Sequence, residues 1–227
     1  MFRDRRDAGR QLAARLASFR GSDPVVLALP RGGVPVAAEI ARAIGGALDI
    51  VLVRKIGVPF QPELALGAVV DGGDPELLVD DQLMAMLAIP QRYVEEQRER
   101  QLKEIERRRR LYLEGRPPTA VAGRTAIVVD DGIATGYTMR AALRATRRRK
   151  PARLVLAVPV APPETIAALA AEVDEIVCLS TPEYFGAIGQ FYADFRQLED
   201  AEVIALLRAR TSGPAAAATQ CAAKPER

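Results

Sequence analysis

Two adjacent carboxylates, Asp130 and Asp131, stand between an apolar run and a hydroxyl-rich turn, in the stretch 127–138, IVVDDGIATGYT. The run Ala126 to Val129 has the unbroken apolar character of a buried parallel strand. The acids therefore fall at its carboxyl end, where open α/β sheets bind ligands. A turn carrying Gly132, Thr135, Gly136 and Thr138 follows, and an Ala-rich helical run opens at Met139. Threonine hydroxyls and amides at a helix N-terminus make a cradle for an anion such as phosphate. Carboxylates beside that cradle would repel a phosphate, so they are better suited to accepting hydrogen bonds from neutral hydroxyls. A sugar phosphate satisfies both halves.

The elements that must position this corner alternate along the chain. Residues 4–19 carry Ala8, Leu12, Leu16 and Phe19 at amphipathic helical spacing. Pro24 to Leu29 is short and wholly apolar, as expected of a buried strand. The turn Pro30-Arg31-Gly32-Gly33 leads it into a helix over Pro35 to Ile44, ended by Gly45-Gly46. A second buried strand, Ala47 to Val53, ends in Arg54-Lys55. The Gly- and Pro-bearing segment 56–66 reads as a loop. A strand at Gly67 to Val70 and another at Glu76 to Val79 flank a hairpin turn at 71–74.

A charged helical block occupies 81–115, mostly one helix from Pro90 to Leu113. Further on, a helix covers Thr138 to Arg149, a strand Leu154 to Val160, a helix Pro163 to Ala171, a strand Glu175 to Leu179 and a helix Asp200 to Arg208. Strand–helix alternation predicts an α/β fold with one doubly wound, mostly parallel sheet. The expected organisation is a single domain over 1–208, with a helical insertion at 81–115 and a small hood. The stretch 209–227 reads as a flexible tail.

Composition narrows the chemistry. The chain has 227 residues, two cysteines and no histidine. Absence of histidine excludes Ser-His-Asp and Cys-His catalysis and argues against an ordinary zinc site. Chemistry must then rest on carboxylates, Arg/Lys, backbone dipoles, tyrosine or a metal brought by substrate. No apolar run is long enough to span a membrane, and the charged start MFRDRRDAGR is no signal peptide. Two dissimilar cysteines suit a reducing, cytoplasmic setting. The arginine runs at 107–110 and 147–150 lie on predicted helices. The first follows Glu95, Glu96, Glu99, Glu104 and Glu106, so solvated helix faces account for them better than nucleic-acid contacts.

The stretch 127–138 resembles the phosphoribosyl-diphosphate (PRPP) signature of the type I phosphoribosyltransferases: a hydrophobic strand, two acids, and a Thr-Gly-x-Thr turn. The resemblance extends over about residues 20–200 and is most specific at 127–138. It implies that Asp130 and Asp131 hold the ribose hydroxyls. It also implies that Ala134, Thr135, Gly136, Tyr137 and Thr138, with Gly132 at the turn, hold the 5-phosphate. The loop at Arg31, Gly32 and Gly33 occupies the family's pyrophosphate-gripping place, where a cis peptide is common; here that bond would be Arg31–Gly32. Arg54 and Lys55 would neutralise the departing pyrophosphate, and 56–66 would be the mobile catalytic loop. Mg²⁺ is implied, carried mainly by PRPP.

The segment 182–195, PEYFGAIGQFYADF, is aromatic-rich and lies where purine-handling relatives place a base-stacking ring and an acid. Phe185, Tyr192 and Asp194 are thus base-pocket candidates, with core packing as the competing role of such aromatics. Three departures stand out. Ala134 replaces the Asp common before Thr-Gly in 6-oxopurine enzymes, and VPVAPP (158–163) lacks their lysine. The helical block 81–115 has no counterpart in compact relatives and could serve as a hood or a homodimer surface. The arrangement is similar to bacterial stand-alone phosphoribosyltransferase-like proteins whose acceptor is not established. The activity implied is transfer of ribose 5-phosphate from PRPP to a nitrogenous base or amine. A non-catalytic PRPP-binding regulator and a PRPP hydrolase are the rivals.

Overall fold

The computed structural model describes residues 1–71 and 75–211, without the side chains of residues 62, 63, 76, 210 and 211. Residues 72–74 of the expected turn lie outside the described residues, as does the expected tail from 212 onward, while 209–211, expected to open that tail, continue the last helix. Helix α1 (Arg5–Arg15) is capped by Asp4, whose carboxylate accepts from the Asp7 amide at 2.7 Å. Strand β1 (Val25–Ala28) and helix α2 (Gly33–Ile44) follow, then β2 (Ala47–Ile50). After them come β3 (Val53–Val58), β4 (Gln61–Val70) and β5 (Glu76–Val79). Helices α3 (Asp81–Met86) and α4 (Gln91–Leu113) precede β6 (Thr125–Val129) and α5 (Tyr137–Arg148). The chain continues through β7 (Arg153–Val160), α6 (Pro163–Leu169), β8 (Glu175–Ser180) and α7 (Asp200–Thr211).

The central sheet has the order β2-β1-β6-β7-β8 and every pairing in it is parallel. Its middle strands are buried on both faces, because helices cover both: β1 is buried throughout, and so is β6 from Ala126 to Val129. Leu27 pairs with Val128, and Ala28 with Val129, so β1 and β6 end side by side. The loops that follow them, 30–33 and 130–136, therefore share one rim of the sheet. This is the doubly wound, mostly parallel fold expected.

The second buried strand departs from expectation. It stops at Ile50, and the chain re-forms as β3 in a separate antiparallel sheet, β3-β4-β5. Arg54 and Lys55 thus lie inside β3 rather than at the end of a parallel strand, and 56–66 is a hairpin rather than a loop. The physical reason is burial on one face. Ile56 and Val58 are buried while Lys55 is exposed, an alternation suited to antiparallel pairing. Gly57 sits at a break in register and Pro59-Phe60 at the turn. Glycine and proline thus mark a bulge and a tip inside the hairpin.

Candidate active site

At the shared rim the two loops are in contact. A Cβ on Gly33 would lie 2.6 Å from the Val129 carbonyl oxygen, and one on Gly32 would strike the Asp131 carboxylate. Only glycine lets the 30–33 loop lie this close to the acids. The peptide bond before Arg31, Pro30–Arg31, is cis, one bond earlier than the resemblance implied.

The carboxylates have unequal surroundings. Asp131 is held by Arg5 from the start of α1: Nε donates to Oδ2 at 2.6 Å, with the two side chains 11% and 10% exposed. The Arg5 guanidinium also donates to the Arg196 carbonyl at 2.9 Å and lies 3.9 Å from the Phe195 ring centroid. Asp130 accepts from the Asp131 amide at 2.8 Å and lines a cavity with Leu29, Pro30, Val51, Leu52, Val53, Arg54, Arg108 and Thr138. Burial pushes the Asp130 carboxyl well up, and the neighbouring Asp131 charge adds to the effect. Burial also raises Asp131, against the opposing pull of Arg5.

The turn after the acids is fixed by its neighbours. The Ile133 amide donates to the Val160 carbonyl at 3.0 Å, and the Thr165 hydroxyl donates to the Ala134 carbonyl at 2.7 Å. Gly136 takes a left-handed φ of 77° at the N-cap of α5, a conformation glycine adopts without strain. Ala134, Thr135, Tyr137 and Thr138 flank it, and of these Tyr137 is 53% exposed, which leaves the turn open to a ligand. The first amides of α5 have no acceptor within the helix, so they are available to an anion.

A domain model described as "Phosphoribosyl transferase domain" matches residues 5–196. The chain belongs to the phosphoribosyl transferase family. Two Mycobacterium tuberculosis proteins, from strains CDC 1551 / Oshkosh and ATCC 25618 / H37Rv, carry the name "putative phosphoribosyl transferase". Each is 46% identical over 226 residues, 99% of this chain and 51% of the relative. The chain thus spans about half the length of these curated relatives. The crystal structure of TT1426 from Thermus thermophilus is 48% identical with a TM-score of 0.79, covering 91% of this chain and 97% of that one.

Within this phosphoribosyl transferase domain, the other sequence candidates are distributed unevenly. Arg31 lies 3.8 Å from Asp200 of α7, which accepts from the Tyr112 hydroxyl of α4 at 2.6 Å. Arg54 lines the Asp130 cavity and donates to Gln101 at 3.1 Å. Lys55, exposed, points to the other face of β3. Of the aromatic segment, Tyr192 is buried against Phe2 and Phe195, with centroids 5.3 and 5.0 Å away. Its hydroxyl donates to the Asp131 carbonyl at 2.5 Å. Phe185 packs on Phe191, and exposed Asp194 accepts from the Arg196 amide at 3.1 Å.

Two cations escaped sequence reasoning. Arg5 had only its place in an amphipathic helix, and Arg108 only its membership of an arginine run. For Arg108 a signal existed. It lies three residues after Ile105 and four before Tyr112, so it falls on the apolar stripe of the helix.

Proposed function

We propose that this protein transfers ribose 5-phosphate from PRPP to a nitrogenous acceptor, releasing pyrophosphate. The observation that carries this reading is the meeting of loops 30–33 and 130–138 on one rim of the parallel sheet. Paired acids lie between an amide-and-threonine turn on one side and a glycine loop on the other. Asp130 and Asp131 would accept from the ribose hydroxyls. The 134–138 turn would take the 5-phosphate. Gly32, Gly33, Arg31 and Arg54 would serve the diphosphate, whereas Lys55, exposed on the opposite face of β3, is left out of that role. Phe185 and Asp194 remain the candidates for the acceptor side, while Tyr192, its ring buried and its hydroxyl on the Asp131 carbonyl, would instead support the acid from behind.

Holding both phosphates fixes the anomeric carbon between them, and much of the rate would come from that positioning. As the bond to diphosphate lengthens, negative charge grows on the leaving oxygens. Arginines set in a low-dielectric site stabilise that charge at a few kcal/mol per donor. Arg5 keeps a negative charge on Asp131 tolerable where burial alone would oppose it.

Among the described residues no group of three or more His, Cys, Asp or Glu side chains is placed to hold a metal. The donors present, Asp130 beside the Arg5-paired Asp131, suit a magnesium ion that arrives mainly on substrate oxygens. Bound there, it would neutralise diphosphate charge. Asp130 would be the carboxylate to meet it.

The test is a PRPP-dependent pyrophosphate-release screen against purines, pyrimidines and simple amines, with a no-acceptor control. Release that requires an acceptor is the expected result. Equal release without one would identify a hydrolase, and none with any acceptor despite PRPP binding would favour a regulator.

A further inference from the structure

Helix α4 is pinned along its length. Tyr93 donates to the Gly57 carbonyl at 2.8 Å, Gln101 accepts from Arg54 at 3.1 Å, and Tyr112 reaches Asp200 at 2.6 Å. Arg109 pairs with Asp71 at 3.1 Å. The inward stripe of the helix runs through Val94, Gln101, Ile105, Arg108 and Tyr112, of which Val94, Ile105 and Tyr112 are buried. At the fourth of these positions an arginine stands where a core-facing helix would ordinarily carry an apolar side chain.

Arg108 lines the same cavity as Asp130, Thr138, Leu29 and Pro30. Among the described residues its guanidinium is bonded only through Nε, to Glu104 at 2.8 Å. Hydrogen bonds from Arg107 and Arg108 hold the Glu104 carboxyl down at about 2, so it stays ionised and grips the guanidinium by one edge. The terminal nitrogens remain for an anion, with the fork geometry that suits phosphate oxygens.

We propose that Arg108 is a diphosphate-binding residue, delivered to the ribose–diphosphate site by α4. This rests on the PRPP reading above and extends it. Two arginines from different elements line the cavity, Arg54 from β3 and Arg108 from α4, and Arg31 follows Pro30, which lines it as well. Arg31 and Arg108 are joined through α4, because Tyr112, one turn beyond Arg108, shares Asp200 with Arg31. The cavity measures only about 70 Å³, room for a few waters, so a diphosphate must displace side chains to enter. The long stem of Arg108 allows that displacement and lets the guanidinium close on the ligand. The charged helix thus forms the cationic wall of the site.

The experiment is titration calorimetry with Mg²⁺ of three ligands, PRPP, inorganic pyrophosphate and ribose 5-phosphate, on wild type, Arg108→Met and Arg107→Met. Arg107 shares Glu104 with Arg108 but points outward, 61% exposed. Arg108→Met should weaken PRPP and pyrophosphate about tenfold or more, as losing a charge-assisted bond requires, and leave ribose 5-phosphate within about twofold. Arg107→Met should match wild type throughout. Unchanged PRPP affinity in Arg108→Met overturns the proposal. So does an equal loss for ribose 5-phosphate, which marks a structural or Asp130-neutralising role. If Arg108→Met does not fold, Arg108→Lys must show the same ligand selectivity in smaller measure. PRPP bound by wild type and equally by Arg108→Met refutes Arg108 alone, and a wild type that binds ribose 5-phosphate but not PRPP refutes the underlying reading as well. One that binds none of the three refutes the underlying reading too.

Discussion

The acidic rim at 130–138 and the face of α4 that looks onto it are built on opposite terms. The rim hangs from strands buried on both sides, and its acids are locked by short contacts to α1, the glycine loop and Tyr192. The α4 face is held by a few side-chain bonds to β3 and α7, and much of the rest of the helix is surface ion pairs. On the proposed reading the rim is pre-organised for a sugar, whereas on the α4 face it is the Arg108 side chain, bonded through Nε to Glu104, that would move as a bulky anion enters. Rigidity and compliance occupy facing walls of one site.

That contrast breaks first at Arg5. Arg5→Ala leaves Asp131 buried beside Asp130 without its counter-charge, a loss of about 3–5 kcal/mol for a buried pair cut on one side. Urea denaturation should show it, and a cost below about 1 kcal/mol would mean the rim is not locked as described. Gly33→Ala drives a Cβ into the Val129 carbonyl oxygen and should cost about 1–3 kcal/mol by the same assay. A neutral result there would show that the two loops can part.

On the α4 side the effects should be smaller. Tyr112→Phe removes one hydrogen bond to Asp200 and should cost about 0.5–1.5 kcal/mol in thermal or urea unfolding. A larger cost than Gly33→Ala would reverse the comparison. The smallest expected change is at Glu104. Its folded carboxyl sits at about 2, below the ordinary 4.5, so its contribution is complete above about pH 4.5 and fades as pH falls toward 2. Being near the surface, it is screened by salt. Glu104→Gln should slightly flatten the acid limb of the stability profile, and less so in high salt.

The rim was legible because its information is local. Strand, acids, glycines and threonines are contiguous from Ala126 to Thr138, and their types state the strand, turn and helix found there. The parallel sheet was legible for a similar reason, since its strands are short apolar runs between helical periods. The hairpin β3–β4 was hidden because Gly57 and Pro59 carry loop signals while sitting at a bulge and a turn tip. Arg5 was hidden because its partner is 126 residues away and only the docking of α1 brings them together. Tyr192 shows a further limit. Its ring type suggested a base, and its surroundings give it a packed ring and a hydroxyl on the Asp131 carbonyl.

The most direct measurement is a crystal soaked with PRPP and Mg²⁺. The account predicts ribose hydroxyls within hydrogen-bond distance of Asp130 and Asp131, with the 5-phosphate on the amides and hydroxyls of 134–138. PRPP bound elsewhere, with this rim empty, would contradict it.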